Sequence, residues 1–324
     1  MLGELVDDVE PGGGEVVRGG VDAITDGLGA VGVCAEVLQT SEDRGRTSVA
    51  IHRFESLTLL HISWGCGAHV RTNFGADCVA VSAATALPQL SGRRTVWTGT
   101  RVTPGHIGAV PAGHDSESLT PQGAQAIVAL VDWSAVTETA DALGRQAQPL
   151  AAAGPLPPSL GLFDAVVALT RAGRTEDARH AGFARRAMDR LLEGLVTGAR
   201  PSTADRPRAG YRLAASARIV SVALELAEAD GGLAPSMRRM CAATGMSERR
   251  VRDAFVDTKG MPPQTYFKVR SLNLAREQLR ARSPKESTVT DIAGSLGIWH
   301  LGRFAARYRS LFGETPQQTL MGSR

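Results

Sequence analysis

The 324 residues of the chain are enough for two or more domains, because a single domain usually holds ~100–200 residues. With 43% hydrophobic and 21% charged residues, the composition is sufficient for packed cores and excludes a globally disordered protein. The net charge of +3 is unevenly distributed: residues 231–324 hold 16 Lys and Arg against 7 Asp and Glu, a net charge of +9, whereas residues 1–230 carry −6.

A basic tail joined to an acidic body is typical of a nucleic-acid-binding domain attached to a domain that does not bind nucleic acid. No apolar run reaches the ~18 residues that a membrane span needs. The acidic beginning MLGELVDDVE lacks the basic flank of a signal peptide. We therefore expect a cytoplasmic protein with no membrane partner. The irregular spacing of the four cysteines favours reduced thiols over a disulfide framework.

The first half of the chain has the pattern of short strands and turns that is typical of a β protein. Residues 1–45 are rich in glycine and acidic residues and carry no clear period, so they stay unassigned. In residues 47–136, short β-favouring runs are separated by Gly, Pro and Asp. The runs are TSVAIHRF, LTLLHISWG, CVAVSAATA, RTVWTG, HIGAVPAG and AQAIVALVDW. This pattern predicts an all-β sandwich or barrel, which ends at a linker-like run, 149–158, and so gives a β-rich domain at 1–150.

A helical pattern follows in residues 176–199. An apolar stripe runs along one face of this helix, and charged residues lie off the stripe. The stripe consists of Ala184, Met188, Leu191, Leu192 and Leu195. Such a stripe is more often part of a core within the chain than a surface for a partner. A second linker-like run occupies 200–210, so we expect residues 151–210 to form a helical linker segment.

The most informative stretch, TVTDIAGSLGIWHLGRFAARYRSLFGETPQQTL at 288–320, predicts a helix-turn-helix. Thr288 and Asp291 form a capping-box-like start, after which apolar residues recur at helical spacing. Gly297 ends this helix, and a second apolar helical series runs from Leu301 until Gly313 stops it. Two short helices therefore share one small core.

The same arrangement occurs earlier, at 235–263, which makes it an internal repeat. Gly245 corresponds to Gly297 and Gly260 corresponds to Gly313, with one extra residue in the second turn. Between the copies, residues 264–282 have the spacing of a connecting helix. Two helix-turn-helix units on a rigid connector would present two recognition helices at a fixed separation.

These motifs resemble the AraC/XylS family of transcriptional regulators over roughly the last third of the chain. The resemblance is carried by GMSERRVRDAF at 245–255, the connector PPQTYFKVRSLNLAREQL, and WHLGRFAARYRSLFGETPQQTL, which is most similar to the XylS-like branch. It implies an all-α domain of seven helices at 211–324, beginning with a helix around 218–229. It also implies that the two recognition helices enter successive major grooves of DNA.

The resemblance extends to the expected fold class, an α+β multidomain protein. It implies that the β region at 1–150 is a cupin-like sensor domain and that helices in 151–210 make a dimer contact. The double helix-turn-helix domain completes the chain. The expected partners are a double-stranded DNA operator, a second copy of the chain in a homodimer and a small organic effector. RNA polymerase joins them if the protein is an activator.

We expect the first recognition helix to read bases. The family places Arg249, Arg252 and Asp253 toward the DNA, with Arg250 beside them. Arg can grip guanine O6 and N7 with two hydrogen bonds, and Asp can accept a hydrogen bond from cytosine N4. The alternative is that these charged side chains are merely solvated. This alternative does not easily explain why two such arginines lie on one helix of a net-basic domain.

The equivalent places on the second recognition helix hold Gly302, Ala305 and Ala306, which cannot hydrogen-bond to bases. We expect this helix to act mainly through Arg303 and Arg307, with His300 capping the helix or touching phosphate. These residues are also the candidate DNA contacts of the second unit. The unit should therefore contribute more to affinity than to discrimination between sequences.

The sequence gives little indication of a metal site or of a hydrolase active site. Four soft ligands, His61, Cys66, His69 and Cys78, fall within a short span but lack the paired spacing of structural zinc sites. The β region has no His-x-His run with a downstream Glu, and the chain has no Gly-x-Ser-x-Gly elbow or Gly-rich phosphate loop. We expect no metal, no cofactor, no catalytic residues and no enzymatic activity.

These observations predict a sequence-specific DNA-binding transcription regulator, an activator that responds to a small organic effector. Trp64, Trp97, Trp133 and five of the seven histidines lie in the β region and are suited to line a pocket for it. Two alternatives stay open. One is a constitutive DNA-binding architectural protein whose β domain only mediates assembly, and the other is a small-molecule-binding or enzymatic β domain with the tail as an appendage.

Overall fold

The computed structural model of the chain describes residues 15–42, 45, 47–87, 95–97, 100–102, 105, 107–147, 154–156, 161–172, 178–198 and 208–322. The chain divides into two compact units. The N-terminal unit comprises Met1–Val37 and Arg44–Arg206, and the C-terminal unit comprises Leu38–Asp43 and Pro207–Arg324. Among the described residues, we find no helix with the length and apolarity that a bilayer crossing requires.

Two β-sheets form the centre of the N-terminal unit. The strands, in chain order, are β1 (Glu15–Gly19), β2 (Cys34–Gln39), β3 (Thr47–Phe54), β4 (Leu57–Ser63), β5 (Ala68–Asn73), β6 (Cys78–Ala86), β7 (Val96–Trp97), β8 (Thr100–Arg101), β9 (Ile107–Val110), β10 (Asp115–Thr120), β11 (Gln125–Asp132) and β12 (Gly154–Pro155). The seven-stranded sheet has the order β1-β3-β4-β11-β6-β9-β12, and the five-stranded sheet has the order β2-β5-β10-β7-β8. The β-rich prediction for this region is confirmed, and its six runs overlap β3, β4, β6, β7, β9 and β11.

The seven-stranded sheet is covered on both faces, as the alternation along β11 shows. Ile127 and Ala129 pack into a core that the sheet shares with helices. Val128 and Leu130 point the opposite way, into a core that contains Val70 of β5 in the other sheet. Because successive side chains of a strand point to opposite faces, a run that is apolar at every position indicates a strand buried on both sides.

The helices of the N-terminal unit are α1 (Asp22–Gly29), α2 (Trp133–Ala142), α3 (Leu162–Ala172) and α4 (Ala178–Gly198). Helix α4 carries the predicted apolar stripe, and Leu191, Leu192 and Leu195 are buried against α2, α3 and the seven-stranded sheet. The stripe therefore belongs to the core of the chain itself. A dimer contact on α4 would have to use its charged outer face.

Two segments of the N-terminal unit differ from the sequence predictions. Residues 1–45, left unassigned, contain β1, α1 and β2. The prediction that residues 149–158 form a linker is wrong for the middle of this run. Gly154 and Pro155 pair with β9, and Leu156 is buried in the core between the seven-stranded sheet and helices α2, α3 and α4, here named the helix-side core. Leu156 makes this burial favourable, because the apolar side chain gains more by packing than the short run gains by staying solvated. Most of the second linker, 200–210, lies outside the described residues.

The described part of the C-terminal unit contains seven helices, which confirms the helical prediction for the tail. They are α5 (Arg208–Ala229), α6 (Met237–Thr244), α7 (Glu248–Lys259), α8 (Pro263–Ala281), α9 (Val289–Ser295), α10 (Leu301–Phe312) and α11 (Pro316–Leu320). One core joins α5, α6 and α7 to the beginning of α8, and a second joins the end of α8 to α9, α10 and α11. The repeat therefore has two cores on one connector, α8.

Candidate nucleic-acid interface and ligand cavity

The first helix-turn-helix consists of α6 and α7. The Ser247 side chain accepts a hydrogen bond from the Arg250 backbone N–H and caps α7, and Gly260 ends it in the left-handed conformation at φ 69°. Val251, Ala254 and Phe255 are fully buried and fix the rotation of the helix about its axis. The opposite face of α7 is thereby turned to solvent.

The predicted base-reading residues lie on this outward face. Arg249 is 92% exposed and lies 4.0 Å from Asp253, while Arg252 makes an ion pair with Glu248 one turn away. Surface ion pairs of this kind contribute only ~0–1 kcal/mol to stability, so either arginine can leave its carboxylate for a phosphate or a base edge. Arg250, on the same turn, is half-buried.

The second helix-turn-helix consists of α9 and α10. Thr288 and Asp291 form the predicted capping box at the start of α9, and Gly313 ends α10 with φ 76°. His300 occupies the N-cap position of α10, but its side chain makes no capping hydrogen bond. The alternative that His300 caps the helix with its side chain is therefore wrong. A phosphate contact stays a proposal.

The outward face of α10 carries cations beside small residues. Arg303 and Arg307 are exposed, and so are Gly302 and Ala306, each of which directly precedes one of these arginines. Phe304, Tyr308 and Leu311 are buried and set this orientation. The observed face is thus the one expected from the sequence, a cationic surface with little capacity for hydrogen bonds to bases.

Sequence reasoning missed an apolar patch at the beginning of this helix. Trp299, in the turn, is 81% exposed, and Leu301, in the first turn of α10, is 39% exposed. Both lie beside His300 and Arg303 at the end of the helix that enters the groove in helix-turn-helix proteins. The sequence did contain a signal for this patch, because Trp299 lies outside the buried positions of the apolar series that begins at Leu301.

A polar network holds α10 against its neighbours. Arg276 of α8 lies 3.6 Å from the Glu314 carboxylate, and its guanidinium stacks 4.9 Å from the centre of the Phe312 ring. The Thr319 hydroxyl donates a hydrogen bond of 2.8 Å to Glu314. These contacts connect α8, the end of α10 and α11, so they fix the second recognition helix relative to the connector.

The soft-ligand residues of the β region are not assembled as a metal site. The described residues contain no group of three or more His, Cys, Asp or Glu that could hold a metal ion. Cys66 is buried, and a His69 ring nitrogen contacts the Glu117 carboxylate. Burial, followed by the charges of Asp132 and Asp77, raises the pKa of the Cys78 thiol. This thiol is therefore protonated near neutral pH and is a weak ligand.

A cavity lies in the N-terminal unit, enclosing about 860 Å³ of empty space that includes space open to solvent. Its described lining residues carry no charge. Trp64 and Trp97 belong to the lining, as predicted, but Trp133 packs against the helix-side core instead. The expectation of pocket histidines is not met by the described lining, which contains no histidine.

Two features give the cavity its shape and polarity. Gly108 leaves room for the Trp97 ring, since a Cβ at position 108 would lie only 2.0 Å from that ring. Gln125, the first residue of β11, belongs to the cavity lining. Its side-chain oxygen is buried and has no hydrogen-bond partner among the described residues. A buried acceptor without a partner is costly, and a donor on a bound molecule would satisfy it.

Comparison with known proteins places the similarity in the tail. A family model described as a helix-turn-helix domain matches residues 240–321. A XylDLEGF operon transcriptional activator of Pseudomonas putida is 39% identical over 85 residues, which cover 26% of this chain and 26% of that protein. A probable thc operon regulatory protein of Rhodococcus erythropolis is 30% identical over 102 residues, which cover 32% of this chain and 31% of that protein.

A solved structure is similar to about a third of the chain. It is the crystal structure of a probable AraC family transcriptional regulator from Rhodopseudomonas palustris CGA009, with 34% sequence identity and a TM-score of 0.30. The similarity covers 33% of this chain and 98% of that chain. Against the curated Pseudomonas putida relative, by contrast, the chain spans about a quarter of the relative's length, 26%.

Proposed function

Because the chain belongs to the AraC/XylS family of DNA-binding transcription regulators, we propose that it is a sequence-specific activator that responds to a small organic effector bound in the N-terminal unit. Activation is proposed because the matching Pseudomonas putida protein is described as an operon activator. An activator would have RNA polymerase as a further partner.

One observation carries the DNA-binding proposal: α7 and α10 lie on one connector and both turn exposed arginines outward. On α7 the exposed arginines are Arg249 and Arg252, and α10 exposes Arg303 and Arg307 together with Arg309 near its end. The major groove of DNA is wide enough to admit an α-helix. Arginines on such a helix can bind guanine in the groove or neutralise the phosphates along its edges. We assign base reading to Arg249, Arg252 and Asp253, and phosphate contacts to Arg250, His300, Arg303 and Arg307.

The apolar patch of α10 adds a contact that the arginines cannot make. Trp299 and Leu301 are exposed next to the cationic face, where leaving an indole in water is unfavourable. In the major groove, the methyl group of thymine is the apolar feature of the base edges. We propose that Trp299 packs against a thymine methyl group, so that the second unit prefers an A·T pair at one position.

The cavity indicates the chemical class of the effector. A charged ligand would lose its hydration against a lining whose described residues carry no charge, which costs several kcal/mol or more unless a counter-charge is present. An uncharged, largely apolar molecule gains by burial between Trp64 and Trp97. A single O–H or N–H group on it could donate to the Gln125 oxygen. The effector is therefore proposed to be uncharged and aromatic or aliphatic, with at least one donor.

We also propose a homodimer that uses the outer face of α4. The apolar stripe of this helix is buried within the chain, so the free surface is a mixture of charges. Arg185, Arg186, Asp189 and Glu193 are exposed along it. Opposite charges on one helix are self-complementary when two copies meet across a two-fold axis. Sedimentation of the full chain, with and without reversal of the charge at Arg186 alone, tests this contact.

The function is tested with DNA selected from a random pool by the full-length protein. Affinity for the selected duplex should fall with salt at a slope of ~−0.9 in log–log form for each phosphate neutralised. Transcription from a promoter carrying the duplex should rise when a cavity ligand is added. Salt-independent binding, or no preference for any duplex, would contradict the proposal. A bound ligand that changes neither affinity nor transcription would favour the constitutive architectural alternative.

A further inference from the structure

Six residues that precede β3 in the sequence belong to the DNA-binding unit. Leu38–Asp43 cluster with residues 207–324, far outside the residues that the helix-turn-helix family model matches. The part of this stretch that is described, residues 38–42, is here named the 38–42 segment. Through its side chains and its backbone, this segment contacts both copies of the repeat and the connector between them.

On the connector, Asn273 of α8 holds the backbone of Gln39 through both of its polar groups. Its Oδ1 accepts a hydrogen bond of 2.9 Å from the Gln39 backbone N–H, and its Nδ2 donates one of 3.0 Å to the Gln39 carbonyl. Gln39 is only 2% exposed. A side-chain amide that satisfies both backbone groups of a buried residue fixes the position of that residue on the helix.

At the second recognition helix, the same residue contacts the last turn. The Gln39 side-chain N–H donates a hydrogen bond of 2.6 Å to the Leu311 carbonyl oxygen. The last four carbonyls of a helix have no partner within it, so a donor from elsewhere stabilises the end of α10. The Ser310 hydroxyl donates a further hydrogen bond of 2.6 Å to Glu42. Arg303, in the N-terminal half of α10, is exposed to solvent and is not covered by these contacts.

At the first copy of the repeat, Leu38 is part of the core. It is 6% exposed and packs in the cluster that contains Val251 and Phe255 of α7. Consecutive residues therefore anchor in the first core, on the connector and at the end of the second recognition helix. A connector that is a single helix can bend and twist, and a second tie between its two ends restricts both motions.

We propose that the 38–42 segment positions the two recognition helices relative to each other, with Gln39 and Asn273 as the positioning residues. The inference rests on the proposed DNA-binding function and adds a determinant outside the helix-turn-helix units. Two recognition helices held at a fixed separation favour one spacing between the two DNA segments that they contact, since the groove repeats with the helical turn of DNA. Without the tie, the preference for that spacing weakens.

The test compares how strongly the full-length wild-type protein and its variants prefer one spacing between the two contacted DNA segments. The duplex selected from random DNA is used with and without one additional base pair between the two contacted segments, which are located by footprinting. For the wild-type protein, the insertion should weaken binding by about tenfold or more, as a mismatched site does. Gln39→Glu keeps the size of the side chain but replaces the donor to Leu311 by an oxygen. It should bind the original duplex about tenfold more weakly and bind both duplexes about equally.

Two further variants separate positioning from charge and from folding. Gln317→Glu makes the same change at an exposed glutamine of the C-terminal unit and should retain the wild-type ratio between the two duplexes. Asn273→Asp removes the Nδ2 donor, which hydrogen-bonds to the carbonyls of Gln39 and of Val269 in the preceding turn, and should reduce the ratio as Gln39→Glu does. A wild-type ratio in Gln39→Glu would overturn the inference, and so would loss of the cooperative unfolding transition in both positioning variants. Failure of the wild-type protein to bind any duplex would instead overturn the proposed function.

Discussion

The hydroxyl groups of Tyr308 and Thr319 share a hydrogen bond of 2.8 Å inside the core of the second helix-turn-helix, where Tyr308 is fully buried and Thr319 is 6% exposed. Because the Thr319 hydroxyl donates to Glu314, the Tyr308 hydroxyl is the donor of the shared bond. The aromatic ring that orients the recognition helix is thus also held by its polar end.

Tyr308→Phe should therefore destabilise the C-terminal unit by ~0.5–1.5 kcal/mol, the usual net contribution of one hydrogen bond. The ring stays in place and Thr319 keeps Glu314 as a partner, so no cavity forms. Chemical denaturation of the full chain, followed by a signal from the helices, measures the change. Thr290→Val, at an exposed position of α9, is the control and should have little effect. Equal stability of Tyr308→Phe and wild type would show that the bond contributes nothing.

The two recognition helices should differ in what their arginines do. Arg252→Ala should cost ~1–3 kcal/mol on the preferred duplex and relax the preference at one or two base pairs, because a contact to a base edge is lost. Arg307→Ala should weaken binding to all duplexes about equally and reduce the salt slope by ~1. Binding measured across a library of single-base variants distinguishes the two results. A uniform loss for Arg252→Ala with altered preference for Arg307→Ala would reverse the assignment.

The helix-turn-helix repeat could be predicted because its signals are local. Thr288 and Asp291, three residues apart, mark the start of α9, and Gly313 marks the end of α10. The apolar spacing between these marks identifies the buried face. By contrast, β10 was missed because its sequence, DSESLT, has no apolar alternation. Its Ser116 and Thr120 face the cavity, so the pattern that identifies a strand against a core is absent.

The 38–42 segment could not be predicted for a different reason. The two hydrogen bonds between Gln39 and Asn273 join residues 234 positions apart, and the one between Gln39 and Leu311 joins residues 272 positions apart. Neither glutamine nor asparagine at these places carries a local signal of its partner. Periodicity reports which face of an element is buried, and it says nothing about which distant segment covers a polar position.

Trp299→Ala should change the base preference of the second unit. The substitution removes an exposed indole without disturbing a core, since the residue is 81% exposed, so the unfolding temperature should stay close to that of wild type. Binding to the preferred duplex should weaken by ~1 kcal/mol, and replacing the contacted thymine by uracil should no longer matter. Substitution of thymine by uracil, which lacks the methyl group, is the matched change on the DNA. A uracil effect that persists in Trp299→Ala would assign the methyl contact to another residue.

The capping box of α9 predicts a dependence of stability on pH. Hydrogen bonds from the Thr288 hydroxyl (2.6 Å) and backbone N–H (3.0 Å) hold the pKa of Asp291 below its ordinary value. A carboxylate whose pKa is lower in the folded state contributes stability above the unfolded pKa, ~3.9, and loses it as the pH falls through the folded value.

Denaturation of wild type and Asp291→Asn over a range of acid pH checks the sign. The difference in stability between the two proteins should be constant above about pH 5 and should shrink as the pH falls, because Asn does not titrate. The titration of Asp291 by NMR should give a pKa below that of an unfolded Asp. A difference that grew toward low pH would contradict the assigned hydrogen bonds.

The cavity is tested last, with a pair of glycine substitutions and a fluorescent probe. N-phenyl-1-naphthylamine is uncharged and aromatic and has one N–H donor. These properties match the uncharged residues of the described lining and the Gln125 oxygen, which has no hydrogen-bond partner among the described residues. Gly108→Ala places a Cβ against the Trp97 ring, which must move into the cavity, so the probe should bind about tenfold more weakly. Gly29→Ala adds the same methyl group where no atom lies within 4 Å and should bind the probe as wild type does. Gln125→Leu should lower affinity for the probe less than Gly108→Ala, since it removes one acceptor and keeps the volume. Equal probe binding by all four proteins would place the probe outside this cavity and remove the support that the cavity gives to the effector proposal.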